Sequence, residues 1–148
     1  MHIKQLLTAE RTLCGIEGAS KKRALEILAN TLAGNLPDIN ADELFRRLVA
    51  RERLGSTGIG EGIALPHCRL PHCTSAVGAL ITLKQPVDFD AIDGKPVDIL
   101  FAMLVPEQAH SEHLNTLSSL ARAFGQDSFR AALRQADSDE ALYQAAIA

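Results

Sequence analysis

"VDILFAMLVP", residues 97–106, decides the fold: nine of its ten positions carry apolar side chains or proline, and Asp98 is the exception. The run is rich in β-formers, does not alternate, and is closed by Pro106, which predicts a strand buried on both faces. Such a strand needs cover on two sides. Downstream, "EQAHSEHLNTLSSLARAFG" (107–125) has helical spacing, with Leu114, Leu117, Leu120, Ala121 and Phe124 as its buried side and Gly125 at its end. Short helices follow near 128–135 and over 139–147, the latter capped by Ser138. Upstream, "SAVGALITL" (75–83) reads as a second strand, and turn signals stand at Pro86 and Asp93-Gly94.

The first third is helical. "SKKRALEILANTLAG" (20–34) has Ser20 as its cap, Leu25, Leu28 and Leu32 at helical spacing, and Gly34 in the left-handed position beyond its end. "NADELFRRLVARERLG" (40–55) opens on Asn40 and Glu43, spaced as a capping box, and its apolar face is Leu44, Phe45, Leu48 and Val49. Before these lies a short apolar segment around Ile3–Leu7. Helices, then strands, then helices predict an α/β fold: a single-domain sandwich over 1–148, with a small mixed β-sheet flanked by helices.

Composition narrows the function classes. The 148 residues suffice for a full core, and 47% hydrophobic content with no Trp and one Tyr makes that core aliphatic. The net charge of −3 comes with no basic stripe, which argues against nucleic acid as a partner. No apolar run is long enough to cross a bilayer, and the start lacks a signal peptide's pattern, so the expected location is the cytoplasm. Three cysteines argue against a disulfide framework.

Between the helices and the strands the periodicity collapses into "GSTGIGEGIALPHCRLPHC" (55–73). His67, Cys68, His72 and Cys73 are four ligand types, but adjacent His and Cys side chains point apart and Arg69 adds a repelling charge, so a structural metal site is not expected. Cys68 and Cys73 read as small packed residues, with a thiolate beside His67 or His72 as the open alternative. Gly55, Gly58, Gly60 and Gly62 are either a series of tight turns or a backbone that approaches a phosphoryl group closely. His67 can act as a nucleophile if one ring nitrogen donates to a backbone carbonyl and leaves the other's lone pair free. His110 and His113 are three apart on one helix face, and the first turn of that helix favours an anion if it abuts the glycine loop. Arg51 is an ordinary surface charge, an ion-pair partner of Glu61, or a phosphate contact.

Taken together, "RERLGSTGIGEGIALPHCRL" (51–70) and "LVPEQAHSEHLNTLSSLA" (104–121) strongly resemble the two signature segments of the fructose/mannitol-type EIIA domains of the bacterial phosphoenolpyruvate-dependent phosphotransferase system. The nitrogen-regulatory branch is the nearest in likeness, "SDEALYQ" (138–144) included, and the resemblance spans essentially the whole chain. It implies a phosphocarrier with no cofactor and no metal. His67 is the implied phosphoacceptor, at Nε2, and His113 assists at the phosphoryl group. Arg51 and Glu61 line the site, with Thr57 and Ser56 in the same loop on weaker grounds. The implied donor is an HPr- or NPr-like phosphocarrier, met by an apolar rim to which Ile59, Ile63 and Leu65 contribute. Implied outputs are regulatory contacts, with potassium transporters and sensor kinases as the family's expectation. The alternatives are a sugar-specific EIIA that passes phosphate to an EIIB component, and a metal-binding or redox-sensing module built on the repeated Pro-His-Cys. Family members often have Gly where this chain has Cys68.

Overall fold

The computed structural model describes residues 2–108 and 112–148, with nothing described of the Glu112 side chain. The elements run α1 (Ile3–Leu6), β1 (Thr12–Ile16), α2 (Lys21–Ala33), α3 (Ala41–Arg53), β2 (Gly58–Gly60), β3 (Ile63–Ala64), β4 (His67–Leu70), β5 (Val77–Val87), β6 (Val97–Pro106), α4 (Glu112–Phe124), α5 (Asp127–Gln135) and α6 (Asp139–Ile147). They form the expected α/β sandwich around one mixed sheet of order β1-β5-β6-β3-β2, with β4 also paired to β6.

The strand over 97–106 has the expected bounds and is the centre of the sheet. β5 lies antiparallel on one edge of β6, from Val77 opposite Leu104 to Val87 opposite Val97. The other edge is shared, Ile63 and Ala64 of β3 pairing parallel with Ile99 and Leu100, and β4 continuing with His67 opposite Met103. From Ile99 onward the β6 side chains alternate between two cores. Leu100, Ala102 and Leu104 pack under α2 and α3, while Phe101, Met103 and Val105 pack with Leu120 and Phe124 of α4.

Caps explain the helix starts. The side chains of Ser20, Asn40 and Ser138 accept from the backbone N–H of Arg23, Glu43 and Ala141 at 3.1, 2.9 and 3.0 Å. The structure corrects the readings of Gly34, the glycine run and Pro86, and adds α1 and β1. Gly34 is not left-handed but has φ −59°, because its N–H still bonds Asn30 O at 2.9 Å and the helical turn continues through it. The apolar segment at Ile3–Leu6 is a single helical turn, and β1 was not anticipated. The glycine run is not all turn: Gly58–Gly60 and Ile63–Ala64 pair as a minimal antiparallel ladder. Pro86 does not turn the chain, since β5 runs through it to Val87 with a register shift against β6.

α4 meets the sheet through Thr116, Leu120 and Phe124, spaced by four residues. That face leaves Leu114 58% exposed, against its expected burial. Residues 109–111, which include His110, lie outside the described residues.

Phe101 is fully buried against Phe124, with ring centroids 5.9 Å apart. Phe101→Ala is expected to cost about 3–5 kcal/mol of unfolding free energy. Urea denaturation would measure it, and a loss below about 1 kcal/mol would contradict this account of the core.

Candidate functional site

Pro66 and the β6 edge hold His67 in place. The Pro66 carbonyl accepts from Met103 N–H at 2.9 Å, so His67 starts β4 already docked on the sheet. The side chains of β4 then alternate: Cys68 and Leu70 join the core under α2 and α3, and His67 and Arg69 take the opposite face. His67 is half-buried, and its Nδ1 lies 2.8 Å from the Leu65 carbonyl oxygen. A carbonyl only accepts, so Nδ1 carries the proton and Nε2 keeps its lone pair.

Burial is the main cause that lowers the His67 pKa from the ordinary imidazole value of 6.5. The bond to Leu65 opposes this, the charge of Arg51 adds to it, the charge of Glu52 opposes it, and His113 adds a smaller push downward. The net effect favours the neutral ring, the form with a nucleophilic nitrogen.

His67 opens onto a depression of about 470 Å³ over β4, between α3 and α4. Arg47, Arg51, Arg69, Leu54 and His113 also line it, and among the described side chains no carboxylate does. Arg47 is braced by Glu43 at 3.4 Å and donates to the Arg69 carbonyl at 3.2 Å. The Arg69 guanidinium lies 3.1 Å from His113 Nε2. Guanidinium only donates, so in this arrangement His113 Nε2 accepts and Nδ1 holds the ring proton. That Nδ1 is buried without a hydrogen-bond partner among the described residues. A larger cavity of about 800 Å³ lies along α2 and α3, lined by Lys21 and Glu52 among others, and it contains neither histidine.

The structure therefore brings His67, His113 and Arg51 together. Glu61 stands elsewhere. Its N–H donates to Asp93 Oδ2 at 3.0 Å, its carbonyl accepts from Arg134 at 2.7 Å, and it occupies a left-handed turn at φ 58°. Ile63 and His67 pair with β6 four residues apart, roughly 13 Å along a strand, and Glu61 lies beyond Ile63. Of the three readings of Arg51, the ion pair with Glu61 does not form among the described residues; Arg51 donates to the Gly55 carbonyl at 2.9 Å. Ser56 and Thr57 do not line the depression. The Ser56 hydroxyl donates to the Phe89 carbonyl at 2.8 Å, and that of Thr57 to Glu52 at 2.6 Å.

The glycines answer to packing. A Cβ at Gly58 would lie 2.7 Å from the Ala91 Cβ, and one at Gly62, where φ is +81°, would lie 2.7 Å from Asp98 Oδ1. Close packing at these two positions accounts for their lack of a side chain without a phosphoryl group. The expected apolar rim also changes: Ile63 and Leu65 are buried, Ile59 is partly exposed on β2, Leu54 is exposed and lines the depression, and Leu114 is exposed one residue beyond His113 on α4. Sequence reasoning missed Arg69, Arg47 and Glu52. A signal existed for Arg69, because strand alternation puts it on the face of His67.

Cys68 is packed as expected, its thiol pushed up to about 12 mainly by burial, and burial also raises Cys73. Among the described residues, no three His, Cys, Asp or Glu side chains gather closely enough to hold a metal ion. No helix among them is long and apolar enough to cross a membrane.

Comparison with known proteins agrees with this architecture. The family described as "Phosphoenolpyruvate-dependent sugar phosphotransferase system, EIIA 2" matches residues 5–147. A nitrogen regulatory protein from Pseudomonas aeruginosa is 50% identical over 147 residues, covering 99% of this chain and 96% of the relative. The crystal structure of nitrogen regulatory protein IIA-Ntr from Neisseria meningitidis superposes with a TM-score of 0.88 at 41% identity, covering 97% of each chain. IIA mannitol from Escherichia coli, at 20% identity and TM-score 0.77 over 94% of this chain and 97% of its own, shares the fold.

Thiol labelling of the native protein at pH 8 should leave Cys68 unmodified until denaturant is added. Labelling of folded Cys68 at the rate of a free thiol would contradict the burial described.

Proposed function

The chain belongs to the EIIA 2 family of the phosphoenolpyruvate-dependent sugar phosphotransferase system, and from that premise we propose that it is a phosphocarrier whose phosphoacceptor is His67. The observation that carries this reading is the Nδ1–Leu65 hydrogen bond, which leaves Nε2 unprotonated at the mouth of an arginine-lined depression. A donor protein of the HPr or NPr kind presents its phosphohistidine there. Nε2 attacks phosphorus in line, a new N–P bond forms, and the donor's P–N bond breaks with its electron pair returning to the donor ring. The Nδ1 proton stays where it is. Positioning and charge stabilisation carry such a transfer, and neither a metal nor a general acid enters it.

Arg51 and His113 take the supporting roles. Arg51 lies on the α3 wall and supplies fixed positive charge for the three phosphoryl oxygens. His113 faces the same space and can offer an N–H there once Arg69 releases its Nε2 and that nitrogen takes up a proton, from solvent or by a shift of the ring proton from Nδ1. Leu54 and Leu114 replace Ile63 and Leu65 as the apolar rim that meets the donor. Glu61, Ser56 and Thr57 have no contact role here.

The output we propose is regulatory, as in the relatives called nitrogen regulatory proteins. A phosphoryl group on His67 changes the charge of the depression by about −2, enough to alter the affinity of a protein that docks on Leu54 and Leu114. A potassium transporter or a sensor kinase is the class of target to try first. Transfer onward to a purified EIIB protein would favour the sugar-transport reading instead.

Incubation with phosphoenolpyruvate, Enzyme I and its carrier should add one acid-labile phosphoryl group by intact mass. His67→Ala should abolish the gain, and His113→Ala should slow it without abolishing it. Label surviving in His67→Ala would sink the assignment.

The pH dependence follows from the lowered pKa. Protonation fills the Nε2 lone pair, and the shift moves that protonation below the ordinary 6.5. Uptake should therefore hold from pH 8 down to about 6.5 and fail only at more acidic values. A midpoint at or above 7 in stopped-flow uptake would contradict the described environment of His67.

A further inference from the structure

Glu52 is buried on α3, and the phosphocarrier mechanism above gives it no part. A carboxylate is costly to bury unless it is fully hydrogen-bonded, and this one is. Its Oε1 accepts from Thr57 N–H at 2.8 Å and lies 3.2 Å from Lys21 Nζ, and its Oε2 accepts from the Thr57 hydroxyl at 2.6 Å. Lys21 is itself anchored by the Phe89 carbonyl at 3.1 Å and sits 4.7 Å above the Phe89 ring.

The bonds continue past Thr57. Its carbonyl accepts from Leu65 N–H at 3.0 Å, and the Leu65 carbonyl accepts from His67 Nδ1 at 2.8 Å. An unbroken series thus runs from Lys21 through Glu52, Thr57 and Leu65 to His67. Glu52 fixes Thr57 by both its N–H and its hydroxyl, and Thr57 holds the residue whose carbonyl selects the tautomer of His67. Pro66, between Leu65 and His67, is held independently by Met103. With the β6 side of His67 set by the sheet, the carbonyl of Leu65 is the remaining freedom, and Glu52 removes it.

We propose that Glu52, braced by Lys21 and acting through Thr57, is a positioning residue for His67: it holds the Leu65 carbonyl against Nδ1 so that the lone pair of Nε2 stays available in the depression. The kinetic consequence rests on the phosphocarrier reading; the tautomer consequence does not. The competing account is that Glu52 merely neutralises Lys21 and ties α2 to α3, in which case its loss lowers stability and changes nothing at His67.

The experiment uses the full chain as wild type, Glu52→Gln, Thr57→Val and Thr57→Ser. The ring nitrogens of His67 are read by ¹⁵N NMR, and uptake from a phosphorylated HPr-type donor is resolved into kcat and KM. Wild-type His67 should show a protonated Nδ1 and a bare Nε2. Glu52→Gln should give a mixture of tautomers and about a 10- to 100-fold lower kcat, by analogy with the loss of a partner that orients a metal-ligating histidine. KM should stay within about twofold, because no docking residue is touched. Thr57→Val should move both readouts the same way, and Thr57→Ser, which keeps the hydroxyl, should restore them. Folded Glu52→Gln or Thr57→Val with wild-type tautomer and wild-type kcat would overturn the proposal. If Glu52→Gln does not fold, Thr57→Val decides. If the wild type takes up no phosphoryl group, the phosphocarrier reading fails, and the tautomer comparison still decides the role of Glu52.

Discussion

The double-sided burial of β6 is the constraint on which the other elements depend. Its side chains are apolar on both faces from Ile99 to Val105, so one helical layer cannot satisfy it. α2 and α3 cover one face and α4 the other. Its edges are constrained as well. Buried N–H and C=O groups need partners, and β5 supplies them along one edge while β3 and β4 divide the other. The handover from β3 to β4 occurs at Leu65-Pro66. The His67 ring is therefore placed by the need to finish the edge of a buried strand, not by a loop that happens to pass.

That edge is also where α3 and α4 come close enough to share a depression. The chain as a whole is acidic, with a net charge of −3, yet among the described side chains the depression gathers Arg47, Arg51 and Arg69 and no carboxylate. Positive charge in a partly desolvated cleft draws an anion more strongly than the same charge spread over a surface. It also repels a proton from His67. Desolvation and cationic neighbours thus act in one direction on the ring, and the Leu65 bond acts in the other. Desolvation is the largest cause and decides the sign.

The sequence was legible wherever chemistry is local. Caps at Ser20, Asn40 and Ser138 depend on residues three apart, and the β6 run depends only on its own apolarity. The half-buried, backbone-anchored ring of His67 fits the sequence reading of a rigid histidine after a proline, but the strand that begins there was not read from the sequence. What failed was long-range. Ile63 and Leu65 look like loop residues in a glycine-rich stretch, and only pairing with β6 buries them. Glu61 looks like a partner for Arg51 because the two are close in sequence, but an extended hairpin carries it away to Asp93 and Arg134. Glycines at 58 and 62 resemble a ligand cradle, and the segment that explains them lies some thirty residues on, at Ala91 and Asp98. Leu114 was misplaced for a subtler reason. Thr116 occupies a buried position of α4, and a polar residue there hides the true phase of the helix.

Glu52 presents the sharpest conflict between charge and geometry. A buried carboxylate beside the anion site we propose is electrostatically unwelcome, and its desolvation alone costs several kcal/mol before compensation. Two donors from Thr57 and the ammonium of Lys21 offset that cost locally. Its pull on His67 favours the protonated ring, the wrong form for attack, but that pull ranks behind burial, the Leu65 bond and Arg51. The harm done by its charge is thus small and already outweighed. The order it gives is not available from an aliphatic side chain, which could accept from neither the N–H nor the hydroxyl of Thr57, and glutamine brings one acceptor oxygen where Thr57 offers two donors. Leaving that N–H buried and unpaired would itself cost about 1–3 kcal/mol. A carboxylate at this position is therefore tolerable for its charge and necessary for its two oxygens.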